Sequence, residues 1–219
     1  MIETKYLSKT VQNGDENLTI LKDINFNIKS GEIVAIRGIS GSGKTTLLGL
    51  LAGLDLPTSG EIWLAGQEIT RLNEDDRALL RAKYVGFIFQ SFHLLPSLTA
   101  LENVMLPLEL LDNKLAQKQA EDFLYKVGLT ERKHHYPHQL SGGEQQRVAI
   151  ARAFAIQPKI LFADEITANL DQYTSAKIVN LLFELNIEQG TTLVLVTHDN
   201  ELAQRCSRKL ELVNGRIVV

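Results

Sequence analysis

A single cysteine, Cys206, leaves no second thiol in the chain, so the fold has to hold without an internal disulfide and suits a reducing compartment. Apolar residues make up 44% of the sequence, yet no apolar run approaches the roughly 20 positions that a bilayer span needs. The N-terminus shows no basic stretch followed by an apolar core, so no secretory signal is read there. Cationic charge is not in excess either: 23 Lys and Arg against 26 Asp and Glu give a formal charge of −3, which argues against a nonspecific grip on nucleic acid. Any role at a membrane therefore has to run through a partner. Prolines number only five, and Pro96, Pro107 and Pro137 are expected to bound helical pieces. At 219 residues the chain is long enough to bury a substantial core as one domain with a subdomain.

Glycine is where the sequence is most pointed. Glu32–Arg37 reads as a short strand of near-continuous apolar character, as a strand buried on both faces should be. Gly38-Ile39-Ser40-Gly41-Ser42-Gly43-Lys44-Thr45 follows at once and fits G-x-x-x-x-G-K-[ST], after which Leu47, Leu48, Leu50 and Leu51 open a helix. Gly38, Gly41 and Gly43 can turn successive N–H groups inward as a nest for a β-phosphate. Lys44 supplies a point charge for the β/γ oxygens, and the Thr45 hydroxyl is a hard-oxygen ligand for Mg²⁺.

A second strand of the buried type, Ile160–Ala163, is set off by Pro158 and ends at Asp164-Glu165. Open α/β sheets put their chemistry at such strand ends. Asp164 is expected to hold Mg²⁺ or its water, and Glu165 to polarise the attacking water as general base.

Leu140-Ser141-Gly142-Gly143-Glu144-Gln145-Gln146-Arg147 reads first as a helix start: Ser141 as N-cap, Glu144 three residues on, and Val148, Ala151 and Ala155 continuing an apolar face. A cap alone leaves Gly142 and Gly143 unexplained, since glycine costs about 1 kcal/mol in a helix relative to alanine. Residues without side chains at a helix N-terminus let N–H groups approach an anion closely. A second phosphate contact is the reading that accounts for them.

Along the chain, Leu18–Leu21 and Ile24–Ile28 alternate as half-buried antiparallel strands after a turn at Asn13–Asp15, and Glu61–Leu64 adds another. Val85–Phe89 is a buried strand leading to Gln90. From Ser91 to Gln157 the texture is helical, with Leu101–Leu111, Ala116–Val127 and the helix after Ser141. Thr191–Thr197 is the remaining strand and ends at His198. The fold class expected is α/β: a mostly parallel core sheet flanked by helices, an antiparallel β subdomain, and a helical subdomain carrying the Ser141 motif. Core and β subdomain take about residues 1–90 and 158–219, and the helical subdomain about 91–157. His134, His135 and His138 are read as a surface loop facing a partner rather than a metal site, because Pro137 breaks the regular spacing.

Taken in order, these motifs resemble the nucleotide-binding subunit of an ATP-binding-cassette (ABC) system, over about Glu3 to Gly215. Gly38–Thr45 matches the Walker A loop, Gln90 the Q-loop, Leu140–Gln145 the signature, Ile160–Glu165 the Walker B strand, Asn169-Leu170-Asp171 the D-loop, and His198 the switch histidine. The resemblance implies ATP and Mg²⁺ as cofactors. It implies nucleotide contacts from Gly38, Ile39, Ser40, Gly41, Ser42, Gly43, Lys44, Thr45, Thr46, Gln90, Ser141, Gly142, Gly143 and Asp171. Mg²⁺ would fall to Thr45, Gln90 and Asp164, and hydrolysis to Glu165 and His198. It further implies a head-to-tail dimer in which Ser141 and Gly143 complete the ATP site of a second copy.

Gly86–Pro96, Thr99–Val104, Arg81-Ala82-Lys83 and Leu212–Gly215 are similar to the MacB/LolD/YbbA-like branch, nearest to its YbbA-type subunits. That implies an integral-membrane permease with a large extracytoplasmic domain as partner, and a cytoplasmic subunit held peripherally at the inner membrane. FtsE-like division ATPases and soluble ABC proteins of repair or translation are the alternatives. The single cassette and the short interval before the signature, without sustained heptads, disfavour the soluble types. Three positions depart from the family pattern: Val11 where an aromatic stacks on adenine, Ile166 for a proline, and Ala168 for the D-loop glycine.

Overall fold

The computed structural model describes Met1–Gly14 and Glu16–Val218, with Asn13 described by its backbone only. Two compact units divide the chain, Met1–Arg81 with Thr192–Val219, and Ala82–Thr191.

The first unit contains two sheets. In the antiparallel one, β1 (Ile2–Asn13) and β2 (Glu16–Ile28) form a long hairpin, β4 (Ser59–Leu64) pairs with the other edge of β1, and β5 (Gln67–Glu68) with β4. The two strands expected at Leu18–Leu21 and Ile24–Ile28 are one. Leu7 pairs with Ile24 and Lys9 with Leu21, so β2 carries an extra residue between them, where Asp23 adopts a left-handed φ of 52°. This bulge lets Leu21 and Ile24, three positions apart, both point inward and be fully buried. β1 is bulged in turn at Tyr6 (φ 49°), whose N–H donates to Asn25 Oδ1 at 2.7 Å. Gly60 lies against this kink: a Cβ there would meet Tyr6 O at 2.5 Å.

The second sheet of this unit has β3 (Ile33–Arg37) between β8 (Thr192–Val196) and β9 (Arg208–Val213), both parallel to it. All of β8 is buried, and so is the middle of β3, which is why their sequences lack alternation. β10 (Arg216–Val218) returns antiparallel on β9 through Asn214-Gly215, both at positive φ as a two-residue hairpin loop requires. Helix α1 (Lys44–Leu51) follows β3 and buries Leu47, Leu48, Leu50 and Leu51. The short helix α7 (Asn200–Gln204) follows β8, N-capped by Asp199, which accepts from the N–H groups of Glu201 and Leu202. The boundary between units falls inside α2 (Glu74–Tyr84), a helix absent from the sequence reading, whose only buried apolar side chain is Leu80.

In the second unit, β6 (Val85–Ile88) and β7 (Ile160–Asp164) pair in parallel, with α3 (Ala100–Glu109), α4 (Ala116–Lys126) and α5 (Gly142–Ala155) packed on one another and α6 (Gln172–Gln189) against α5. Small residues on α5, Ala149, Ala151, Ala153 and Ala155, allow this close packing, and Gly86 in β6 is required by it: a Cβ would stand 2.7 Å from Ala153 O. Pro107 does not bound a helical piece but lies inside α3. It sits in the last turn, where the lost N–H removes one bond of a helix that ends two residues later. The start of α3 is closed by a capping box of Thr99 and Glu102. Behind it, the fully buried Asn103 binds Leu95 O, Leu98 O and Thr99 O through Nδ2 and accepts from Leu95 N, which staples the preceding loop to the helix. The histidine loop supplies backbone to the same helix start, since Lys133 O and His135 O accept from the N–H groups of Leu101 and Ala100. Among the described residues no helix is long and apolar enough to cross a membrane.

Cys206 is buried, and burial pushes its thiol pKa up to about 11 from 9.0. At pH 8 that shift lowers the thiolate fraction about 100-fold. Ellman's reagent should therefore react far more slowly with the native chain than with the chain in guanidinium; equal rates would show that the thiol is accessible.

Candidate functional site

The phosphate-loop half belongs entirely to the first unit. β3 ends at Arg37, and the loop that follows bends sharply. A Cβ on Gly38 would stand 2.4 Å from Leu212 O and 2.5 Å from Ser42 Oγ, so no larger residue fits. Gly43, at φ 99°, is the N-cap of α1, and no side chain caps that helix. The N–H groups of its first turn are therefore directed at the loop, with the positive end of the helix dipole behind them. Lys44 folds back over the loop and donates to Gly38 O at 2.9 Å and Ile39 O at 3.0 Å, which holds the ammonium at the mouth of the nest. Ser42 is buried with its Oγ lacking a hydrogen-bond partner among the described residues. Ile39, Ser40, Gly41 and Thr45 are exposed, and Thr46 is half-buried beside them. A backbone nest, a cation and an unpaired hydroxyl together fit a polyphosphate.

His198 stands beyond the end of β8, where the Asp199 N–H donates to Thr197 Oγ1 at 3.0 Å. It lines a cleft of about 350 Å³ together with Arg37, Gly38, Ile39, Glu211, Leu212 and Val213. The parallel pairing of β3 with β8 is what brings a histidine 160 positions away to the edge of the phosphate loop.

The other motif residues belong to the second unit. Asp164 closes β7 and is buried, at 9% exposure. Glu165 follows in a left-handed conformation (φ 45°), which for a residue with a Cβ costs roughly 1–3 kcal/mol and is kept only where its surroundings enforce it. The enforcement is visible. Ile166 is buried at 2% exposure, and Ala168 N donates to Glu165 O at 3.1 Å. Ile166 thus anchors the turn by burial where the family pattern uses proline. Ala168 has no positive φ, so its methyl group meets no backbone strain.

Asp171 does not stand as an open carboxylate. It N-caps α6, accepting from Thr174 N at 3.0 Å, and the hydrogen bonds from Thr174 hold its carboxyl below the usual range.

At the signature, the capping box is formed. Ser141 N donates to Glu144 Oε2 at 2.8 Å and Glu144 N to Ser141 Oγ at 3.3 Å. The Ser141 backbone N–H, more than any other contact, holds the Glu144 carboxyl below its ordinary pKa, and Arg132 Nε pairs with its other oxygen at 3.2 Å. Arg132 thereby offsets a negative charge that would otherwise repel an anion at this helix start. The first-turn N–H groups of Gly142 and Gly143 have no intrahelical partner by position. The two glycines differ in what enforces them. A Cβ on Gly143 would meet Thr174 Cγ2 at 2.6 Å, whereas one on Gly142 would reach only ordinary contact with Leu170 at 3.5 Å. Packing on α6 is thus a reason for Gly143 that the sequence did not disclose.

Gln90 is exposed on the turn after β6. Two of its surroundings also escaped the sequence reading: Asn169 Nδ2 donates to Gln90 O at 3.1 Å, and Arg152 donates to Phe92 O and His93 O. The one available signal was Arg152 itself, the sole charge in the apolar run Val148–Ala155. The histidine loop offers a stacked Tyr136–His138 pair, 6.0 Å between rings, and an Arg132–His135 contact at 3.2 Å.

Comparison with known proteins agrees with this geometry. Residues 21–168 match the ABC transporter family. The chain is 53% identical to the uncharacterized ABC transporter ATP-binding protein YbbA of Escherichia coli K12, over 99% of this chain and 96% of that one. It is 48% identical to the lipoprotein-releasing system ATP-binding protein LolD of Idiomarina loihiensis, over 98% and 95%. Among solved structures, it is similar to the ATP-binding cassette MJ0796 in a dimeric, post-hydrolysis state bound to ADP and Pi, with a TM-score of 0.92, 43% identity, and coverage of 100% and 97%. The nest after β3, the capped glycine pair before α5 and these likenesses together place the chain in the ABC transporter family, as an ATP-binding subunit of the YbbA/LolD-like branch.

Proposed function

We propose that this subunit hydrolyses MgATP and works as a head-to-tail homodimer. The observation that carries the reading is the cleft in which His198 shares walls with Gly38 and Ile39, since it joins a titratable side chain to a phosphate nest. In this reading the N–H groups of the loop and of Thr45 and Thr46 bind the phosphates, and Lys44 neutralises them. Glu165, fixed at its left-handed turn, takes a proton from the attacking water, and His198 donates a hydrogen bond to the phosphoryl oxygens. The donor set of Thr45, Gln90 and Asp164 consists of oxygens, which suits Mg²⁺; these residues would hold the ion, and it would supply charge neutralisation to the phosphates.

Ser141, Gly142 and Gly143, at a glycine-bearing helix start whose carboxylate is already neutralised by Arg132, complete the site of the second copy. In that assembly Asp171, which caps α6, would contribute from the loop at the dimer face. The dimeric state of MJ0796 supports this assembly. Residues 1–219 act as one cassette, with core and β segments at about 1–90 and 158–219 and a helical segment at about 91–157.

The kinship with LolD supports coupling to an integral-membrane permease, one with a large extracytoplasmic domain, and a place for the subunit on the cytoplasmic side of the inner membrane. The exposed His93, next to Gln90, and the histidine loop at 134–138 are surface features suited to that partner.

Glu165→Gln should retain ATP binding, slow hydrolysis by about 10²–10⁴-fold, and elute as an ATP-dependent dimer on a sizing column. A variant that stays active and monomeric would refute the assignment. Lys44→Ala removes charge-assisted contacts worth about 1.5–3 kcal/mol each, so the Kd for MgATP should rise at least about tenfold; an unchanged Kd in fluorescence titration would remove Lys44 from the site. With Val11 half-buried on β1 and its cross-strand partner Leu18 exposed, an aliphatic pair stands where an aromatic ring would stack on the base. GTP should then compete with ATP within about tenfold, the scale set by one lost stacking contact; a much larger ATP preference in competition assays would show that another group reads the base.

A further inference from the structure

Just past Gln90 the backbone does something unusual. Phe92 (φ 61°) and His93 (φ 49°) are consecutive residues with side chains, both left-handed. Such pairs do not persist on local preference alone. In a left-handed turn successive carbonyls point the same way, whereas in extended chain they alternate. The two carbonyls that result are taken by one side chain. Arg152, on the signature helix α5, donates from Nη2 to Phe92 O at 2.8 Å and from Nη1 to His93 O at 2.6 Å. No carboxylate pairs with Arg152 among the described residues, and burial alone pulls its pKa down. A guanidinium is kept here for its fork of donors, not for a salt bridge.

On the other side, Asn169 Nδ2 donates to Gln90 O at 3.1 Å from the loop that begins at Glu165. Stacking of Phe87 on Phe89 (4.1 Å) and of Phe89 on His93 (4.4 Å) completes the frame around Gln90.

We propose that Arg152 and Asn169 are positioning residues that fix Gln90 for hydrolysis, so that the signature helix and the loop after Glu165 both set where Gln90 stands. This rests on the proposed roles of Gln90 and Glu165. Arg152 spans the two carbonyls that the left-handed pair presents on one side, and Asn169 holds the preceding peptide. A shift of α5 or of the 167–171 loop is then passed directly to Gln90, with no change at the phosphate loop required.

The test is steady-state ATPase kinetics of the full-length chain. Arg152→Lys keeps the charge but loses the fork, and Asn169→Ala loses the donor on an exposed loop. Each should lower kcat about 10–100-fold, as small misplacements of catalytic groups do, while KM for MgATP stays within about twofold. In a Gln90→Ala background neither substitution should lower kcat further, because the residue they position is gone. Wild-type kcat in both single variants, or an undiminished loss in the Gln90→Ala background, overturns the inference and leaves the ATPase reading standing. Wild-type turnover in Gln90→Ala itself overturns the role of Gln90 and this inference with it. Should Arg152→Lys fail to fold, the Asn169→Ala cycle decides the matter alone.

Discussion

Backbone N–H groups have to come within hydrogen-bond reach of a highly charged phosphate, and that requirement constrains the loop between β3 and α1. Two helix starts in this chain leave backbone N–H groups open to different extents. At α1 the cap is a glycine at φ 99° with no side-chain acceptor, so the whole first turn is directed at the loop. At α5 the cap is a full Ser141–Glu144 box, and only the N–H groups of the two intervening glycines are left for a ligand. The first is a cradle formed within one chain. The second is a narrower opening whose negative neighbour is held in place by Ser141 N–H and offset by Arg132.

Glycine at these places answers to close approach as much as to backbone freedom. Gly38 and Gly143 would each bring a Cβ within 2.6 Å of another atom, at Leu212 O and at Thr174 Cγ2 respectively. The phosphate nest is therefore locked against the β9–β10 hairpin region, and the signature against the first turn of α6. That second contact sets the signature beside the helix that Asp171 caps, so the D-loop and the signature share one packed edge within the second unit. The strained Glu165 turn, the cap at Asp171 and the bond from Asn169 to Gln90 are successive parts of the same short segment, Glu165–Asp171.

Much of this was legible in advance because its signals are local. The capping box at Ser141 is written in four residues, and the phosphate loop in eight. The buried strands show as continuous apolar runs, with ends only one residue from those expected: β7 continues to Asp164, and β8 begins at Thr192. What failed to show was non-local or compensated. The bulge at Asp23 shifts the alternation of β2 and makes one strand look like two. Pro107 looks like a breaker, yet a last-turn position loses little by it. Helix α2 buries Leu80 alone among its apolar side chains and leaves Leu79 exposed, so it shows no continuous apolar face, and its Glu74 is paired with Arg77 and Arg81.

By itself the sequence determined the chemistry: a glycine nest with its lysine, an acidic pair closing an apolar strand, a capped glycine pair, and a histidine after the last long apolar run. These are properties of residue type and short spacing, which the chain carries whatever surrounds it. The tertiary structure alone decided the company those residues keep. Parallel pairing of β3 with β8 puts His198 on the same cleft as Gly38. Packing of α5 on α6 leaves no room for a Cβ at Gly143 unless Thr174 shifts. The fork of Arg152 holds two left-handed residues that no local preference would select. Each of these joins positions some 30 to 160 residues apart, and contacts across such separations leave no mark in a short stretch of sequence.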